Sequence, residues 1–436
     1  MGRILNNSFI NKDIINTIVY FASFLMAFFL PISIKLSNLF LVLFFISSAF
    51  LFLIKKDFKK RNYSSLFYTT MVLFLINVFG LLITETPNEG IKAIERGLSF
   101  FLCPFLLFFH TEKALFEIKN KLFNGIVLGS LLSVIILLCN NFINYFSTRP
   151  LFSFDNEIFS YYHTYYYFTD FLKIHPTYLG SYIILSITIV LMRVVKNSNK
   201  KRRFINFLII FVLSIGVLFL NSRIIILLCF SILIPFFLWG LFKLFKLKKI
   251  KYALISLAVV CSASFFMFNS SISKTFIYSR FTKELSWELS DQVDTKYNSK
   301  IHADSRVARW KSGLKVIEQK PIFGYGTRTE KDILALQYKI DGLENSYRLK
   351  YDSHNLFLTY TIEFGIIGLL VLCFYFISNV YLSFKSKNIE YFVFIYMIIT
   401  ICIFESFLKN NAGITFVAFF SSILYFTKDY NQISEQ

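Results

Sequence analysis

The stretch DSHNLFLTYTIEFGIIGLLVL, residues 352–372, is where a long polar loop turns back into an apolar helix. Asp352 or Ser353 can cap that helix, His354 and Asn355 stand in its first turn, and the run behind them can enter a bilayer. The free amide N–H groups and the positive dipole end of a helix start attract anionic groups. His354 is therefore either an interfacial polar residue or a titratable ring beside a resting place for phosphates.

The rest of the chain repeats the apolar half of this pattern. Of its 436 residues, 56% are hydrophobic and 19% aromatic, with 56 phenylalanines, and the mean hydropathy is +0.58. Apolar runs of about 17–25 residues recur, separated by short Lys/Arg-rich links, and no soluble core could bury so much hydrocarbon. A membrane β-barrel would show strict alternation, so the expected fold is all-α and polytopic. The net charge of +20 lies largely in short loops, which makes it a topology signal rather than a nucleic-acid footprint. The six cysteines fall inside apolar runs without metal or disulfide spacing. The N-terminal MGRILNNSFINKD lacks a small-residue cleavage site, so the first apolar run is expected to be retained.

About twelve membrane helices are expected. They run from Ile14 to Leu30, Leu39 to Ile54, Leu66 to Ile83, and a fourth opens with Lys92, Glu95 and Arg96. After a link with Lys113, Lys119 and Lys121, further spans cover Leu122–Phe146, His175–Val195, Phe204–Leu220, Ile224–Phe242 and a ninth from about Lys251 to Phe268. The last three are expected at His354–Ser378, Tyr391–Phe407 and Ile414–Phe426. This divides the chain into spans one to nine (1–268), a long loop containing short helices (269–353), and spans ten to twelve with a short tail (354–436). One set of links holds about twenty Lys and Arg against three or four on the other side, which puts the basic set and both termini in the cytoplasm. The long loop, the Asn221-Ser222-Arg223 turn and His354 then face outward.

Within the loop, DSRVARWKSGLKVIEQKP, residues 304–321, reads as a helix capped by Asp304 or Ser305 and ended by Pro321. Val307, Trp310, Leu314 and Ile317 form its expected apolar stripe, and Arg306 and Trp310 are surface neighbours. Gly324-Tyr325-Gly326 is a chain reversal, or a turn bringing amides to a ligand. Arg223, in a tight turn between two spans, either snorkels to headgroups or points into a surface cavity. His175 before Pro176 and Arg96 near the end of the fourth span lie at the same expected depth. An arginine fork suits a diphosphate, and a nearby histidine can take the proton of an incoming hydroxyl. The chain has no HExxH, paired-Cys or Asp-x-Asp signature, so neither metal nor cofactor is expected.

Three ordered motifs resemble the O-antigen ligase and polymerase superfamily of bacterial envelope glycosyltransferases. These are Asn221-Ser222-Arg223; Arg306 and Trp310 with Pro321 and Gly324-Tyr325-Gly326; and Ser353-His354-Asn355 with Glu363-Phe364-Gly365 and Gly368. They span about Leu213 to Leu370, while the matches at His175 and Arg96 are looser, and Ile224 stands where the family carries a small residue. The resemblance implies that Arg223 and Arg306 grip the diphosphate of an undecaprenyl-diphosphate-linked glycan and that His354 activates the acceptor hydroxyl. Arg96, His175, Trp310, Asn355 and Asp352 are the expected substrate-binding residues. It also implies a metal-independent, inverting transfer at the outer face of the bacterial inner membrane, with lipid A-core as acceptor (ligation) or another lipid-linked glycan (polymerisation). A protein hydroxyl is a further acceptor class. A flippase or transporter would want ionisable groups deep in several helices and repeat symmetry, and a structural envelope protein would use the loop to bind a partner. Here Glu363 and Glu405 are the main interior charges and no repeat is visible.

Overall fold

The structure, a computed structural model, describes residues 12–54, 65–147, 149–150, 156–196, 199–246, 250–251, 254, 281–297 and 301–427. Its helices are α1 (Lys12–Phe29), α2 (Ile34–Ile54), α3 (Ser65–Leu81), α4 (Pro87–Phe108), α5 (Glu112–Phe146), α6 (Tyr165–Thr169), α7 (Pro176–Lys196), α8 (Lys200–Leu220) and α9 (Arg223–Lys246). There follow α10 (Leu285–Glu288), α11 (Arg306–Gln319), α12 (Glu330–Ile340), α13 (Glu344–Leu349), α14 (Leu356–Lys385), α15 (Ile389–Phe404) and α16 (Asn411–Phe426). A two-stranded antiparallel hairpin, β1 (Thr295–Tyr297) with β2 (Ile301–Ala303), interrupts this all-α sequence.

Among the described residues, α2, α5, α7, α8, α9 and α14 are long and apolar enough to cross a membrane. Shorter apolar helices cover Asp13–Phe29, Leu66–Leu81, Ile389–Phe404 and Asn411–Phe426. Apart from Lys251 and Leu254, the ninth expected span lies outside the described residues, as does the Lys55–Arg61 link. The centre of the bundle is α7, whose residues from Pro176 to Leu191 are all buried, against α5, α8 and α9. Large apolar side chains such as Leu53, Phe204, Phe211 and Phe242 stand exposed on α2, α8 and α9, where hydrocarbon rather than water is the compatible surrounding.

Several boundaries differ from the expectation, each for a local reason. The link with Lys113, Lys119 and Lys121 is helical, because Thr111 caps α5 through the Ala114 N–H and Lys119 is buried against Glu390 at 2.6 Å. Asn199 caps α8 through the Lys201 and Arg202 N–H groups, so the basic run Lys196–Arg203 is partly helix as well. The cap of α14 is Asn355, not Asp352 or Ser353; its Oδ1 accepts the N–H groups of Phe357 and Leu358. Those first-turn amides are thereby satisfied from within the chain.

Helices α11 and α12, with Leu343 before α13 and Ile362 of α14, form a second small core of Ala308, Val316, Leu334, Tyr338, Leu343 and Ile362. Its α11 is capped by Ser305, whose Oγ accepts the Ala308 N–H. The buried residues of α11 are Ala308, Arg309, Ser312, Gly313 and Val316, not the expected Val307–Trp310–Leu314–Ile317 stripe, and Leu314 is 53% exposed. Trp310 is only partly buried, and its indole N–H donates to the Ser353 carbonyl at 2.8 Å.

Gly324-Tyr325-Gly326 is a structural joint. The Tyr325 and Gly326 N–H groups donate to the Ile362 and Glu363 carbonyls at 3.1 and 2.7 Å, and Ile366 N–H donates to Pro321 O at 2.8 Å. The loop thus enters a break in α14 at Gly365, where φ is +64° and ψ −157°, a region nearly confined to glycine. A Cβ on Gly365 would sit 2.1 Å from Ile322 O, and one on Gly324 2.5 Å from Ile362 O. Backbone against backbone is what these glycines permit.

Candidate functional site

Two arginines open two helices beside one cavity. Asn221, left-handed at φ +47°, ends α8, and α9 begins at once with Arg223. Arg306 is the first residue of α11, directly behind the Ser305 cap. Both guanidiniums therefore stand at positive helix ends and line a cavity of about 100 Å³ together with Glu288, Trp310, Thr177 and Glu405. Glu288, the last residue of α10, lies between them. Its Oε1 is 3.4 Å from Arg223 Nη2, and its Oε2 is 3.5 Å from Arg306 Nε and accepts the Arg306 backbone N–H at 3.2 Å. Arg306 Nη1 donates to Phe404 O at 3.0 Å, while Arg223 Nη1 and Arg306 Nε are buried without a hydrogen-bond partner. Unsatisfied buried cationic donors beside an open cavity favour an anionic occupant.

His354 adjoins the cavity through Glu405. It has φ +48°, a left-handed conformation that histidine tolerates better than most residues. The turn is held on two sides: the His354 N–H donates to Asp352 Oδ1 at 3.2 Å, and Ser353 donates its N–H and Oγ–H to Glu330 Oε1 at 3.1 and 2.7 Å. The imidazole Nδ1 lies 3.2 Å from Glu405 Oε2 and 3.3 Å from Asp352 Oδ1. Ionised carboxylates only accept, so Nδ1 carries a proton, and in the neutral ring Nε2 is left as the acceptor. Burial pushes the Glu405 carboxyl up, but the His354 hydrogen bond and charge, with His175 and Arg306, outweigh it and hold the carboxyl below its ordinary value.

His175 belongs to the same neighbourhood. Its Nδ1 accepts the Thr177 N–H at 3.2 Å, and its Nε2 is 2.5 Å from Tyr166 Oη. Burial holds this imidazole below its usual range, against the opposing pull of Glu405. It is then neutral, with the proton on Nε2 facing the phenol oxygen.

The other sequence candidates divide. Asp352 touches His354 directly, and Trp310 lines the cavity while fixing the Ser353 carbonyl. Asn355 is occupied as the α14 cap. Arg96 is not brought to the cavity: it is half-buried on α4, with Arg328 and Glu89 within its electrostatic reach. Glu363 pairs with Lys409 away from the cavity. Glu288 and Glu405 are the site residues that sequence reasoning did not place. Glu405 had a signal, a lone carboxylate in the apolar run ICIFESF; Glu288, in an ordinary polar loop, had none.

Residues 207–373 match the O-antigen ligase family model, a stretch that contains Arg223, Glu288, Arg306, Trp310 and His354 but ends before Glu405. No curated protein matches the chain. The family is one of membrane enzymes of the glycosyltransferase type, in agreement with the many apolar helices. The stretch that carries both arginines and His354 is thus similar to the O-antigen ligase family.

Proposed function

We propose that the protein transfers a glycan from undecaprenyl diphosphate to a hydroxyl of lipid A-core, at the outer face of the bacterial inner membrane and with both termini in the cytoplasm. The observation that carries this reading is the shared cavity of Arg223 and Arg306, walled by the Glu405 that holds His354. In the reaction, the acceptor oxygen attacks the anomeric carbon while the bond from that carbon to the diphosphate oxygen breaks. The leaving electron pair goes to the diphosphate, whose charge meets two guanidiniums and two helix N-termini. The hydroxyl proton passes to His354 Nε2, and Glu405 stabilises the resulting imidazolium. Single displacement of this kind inverts the anomeric carbon. Polymerisation onto a second lipid-linked glycan uses the same chemistry and is the alternative.

Purified protein in nanodiscs, given a lipid-diphosphate glycan, should release undecaprenyl diphosphate and cap lipid A-core once; a ladder of repeat units without core identifies a polymerase. Arg223→Ala, Arg306→Ala and His354→Ala should each lower transfer on the order of 10²–10³-fold or more without loss of membrane insertion. Arg306→Lys keeps the charge and loses the fork, so full activity in that variant argues against bidentate phosphate binding. Near-normal transfer by His354→Ala removes the proposed base.

A further inference from the structure

Glu288 presents a carboxylate where an anionic ligand of the arginines would place its oxygens. It reaches both guanidiniums and the first amide of α11, and the side chains of all three residues are under 20% exposed, at 14, 18 and 19% for Glu288, Arg223 and Arg306. Burying two cations at a membrane surface would make a site for anionic phosphodiester headgroups as well as for a diphosphate. Resting on the diphosphate reading of this cavity, we infer that Glu288 is a specificity residue: an internal counter-ion that singly charged phosphates fail to displace and a diphosphate succeeds in displacing.

The competition is set by charge and by reach. A tethered carboxylate acts at high effective concentration, so a competitor of equal charge and weaker chelation loses to it. A diphosphate carries more negative charge and offers two groups, one for each fork, including the Arg223 Nη1 hydrogens, which have no hydrogen-bond partner. Rejection of the wrong anion by a charge already in place is discrimination by repulsion as much as by attraction. When the diphosphate product leaves, the carboxylate returns to the cations.

Calorimetric titration of the purified protein in phosphatidylcholine nanodiscs with inorganic pyrophosphate and with inorganic phosphate tests this. The wild type should favour pyrophosphate, with Arg223→Ala and Arg306→Ala both weakening it. In Glu288→Gln the phosphate affinity should rise by roughly tenfold and the pyrophosphate-to-phosphate preference should fall, the scale of one charge-assisted contact. Glu288→Asp, which keeps the charge, should retain the preference, and Glu288→Ala, which also removes the charge, takes the place of Glu288→Gln if that variant is unstable. Adding phosphatidylglycerol to the nanodiscs should weaken pyrophosphate binding in Glu288→Gln and not in the wild type. An unchanged preference in Glu288→Gln, or equal loss of both affinities, overturns the counter-ion role while leaving the diphosphate site intact. Pyrophosphate binding that ignores Arg223 and Arg306 overturns both.

Discussion

Replacing Glu405 by glutamine isolates the pairing on which proton transfer depends. The carboxylate fixes the proton of His354 on Nδ1 from 3.2 Å and supplies a counter-charge for the imidazolium that forms as the hydroxyl is deprotonated. Glutamine has nearly the same shape, so packing at this almost buried position is preserved and the charge alone is removed. If the amide oxygen replaces the carboxylate, the hydrogen bond weakens from the charged to the neutral class, a loss of about 1–1.5 kcal/mol and roughly tenfold in kcat. If the amide instead turns its NH2 to the ring, Nδ1 becomes the acceptor and the proton moves to Nε2, where the hydroxyl proton should arrive. The same change in a Ser-His-Asp triad costs about 10⁴-fold. The expected fall in kcat lies between these limits, with the donor KM little altered because the two arginines are untouched, and Glu405→Asp should recover part of it.

The pH dependence carries a definite sign. The Glu405 carboxyl is held below its ordinary value, so its contribution is present above the unfolded value and is lost as pH falls through the folded one. Wild type and Glu405→Gln should therefore differ most near neutral pH and converge on acidification. The measurement is release of undecaprenyl diphosphate at saturating acceptor, across pH, in detergent or nanodiscs. A variant within about twofold of wild-type kcat at neutral pH, well inside the tenfold lower limit, would refute the reasoning.

The remaining predictions concern the supports of the site. Glu330, which anchors the Ser353 turn, is pushed up to about 7, chiefly by burial and further by Asp352 and Glu363. Stability from this group is full below its unfolded value and is lost as pH rises to about 7, so the wild-type Tm should fall between pH 5 and 7 and Glu330→Gln should remove that slope. Gly365→Ala forces a Cβ to 2.1 Å from Ile322 O in a conformation other residues avoid, so it should cost about 1–3 kcal/mol from strain before the overlap is counted. Its readout is a lowered Tm together with reduced transfer, since the joint that seats the Pro321–Gly326 loop on α14 opens; an unaltered Tm would show that the joint relaxes freely.

The apolar runs were legible because hydrocarbon composition needs no partner to be recognised, and the order of the motifs around one long loop pointed to the O-antigen ligase superfamily. Arg223, Arg306 and His354 were identifiable as charges at helix starts, since capping and dipole arguments depend on local sequence alone. Their company was not. That Trp310 donates to the Ser353 carbonyl, that Asn355 rather than Asp352 caps α14, and that the Gly324 loop seats against the break at Gly365 are outcomes of pairwise fit between segments. Arg96 shows the converse: an ionisable residue at a plausible depth, set by its helix beside Arg328 rather than at the cavity.

By itself, the sequence determined that this is a basic, all-α membrane chain with cationic and titratable residues at several helix starts, because periodicity, charge and caps are local quantities. Only the tertiary structure decided which of those charges meet and what neutralises them, since Glu288 and Glu405 reach Arg223, Arg306 and His354 from separate segments of the chain. Electrostatic energy depends on distance in space rather than along the chain, and the folded backbone alone sets those distances.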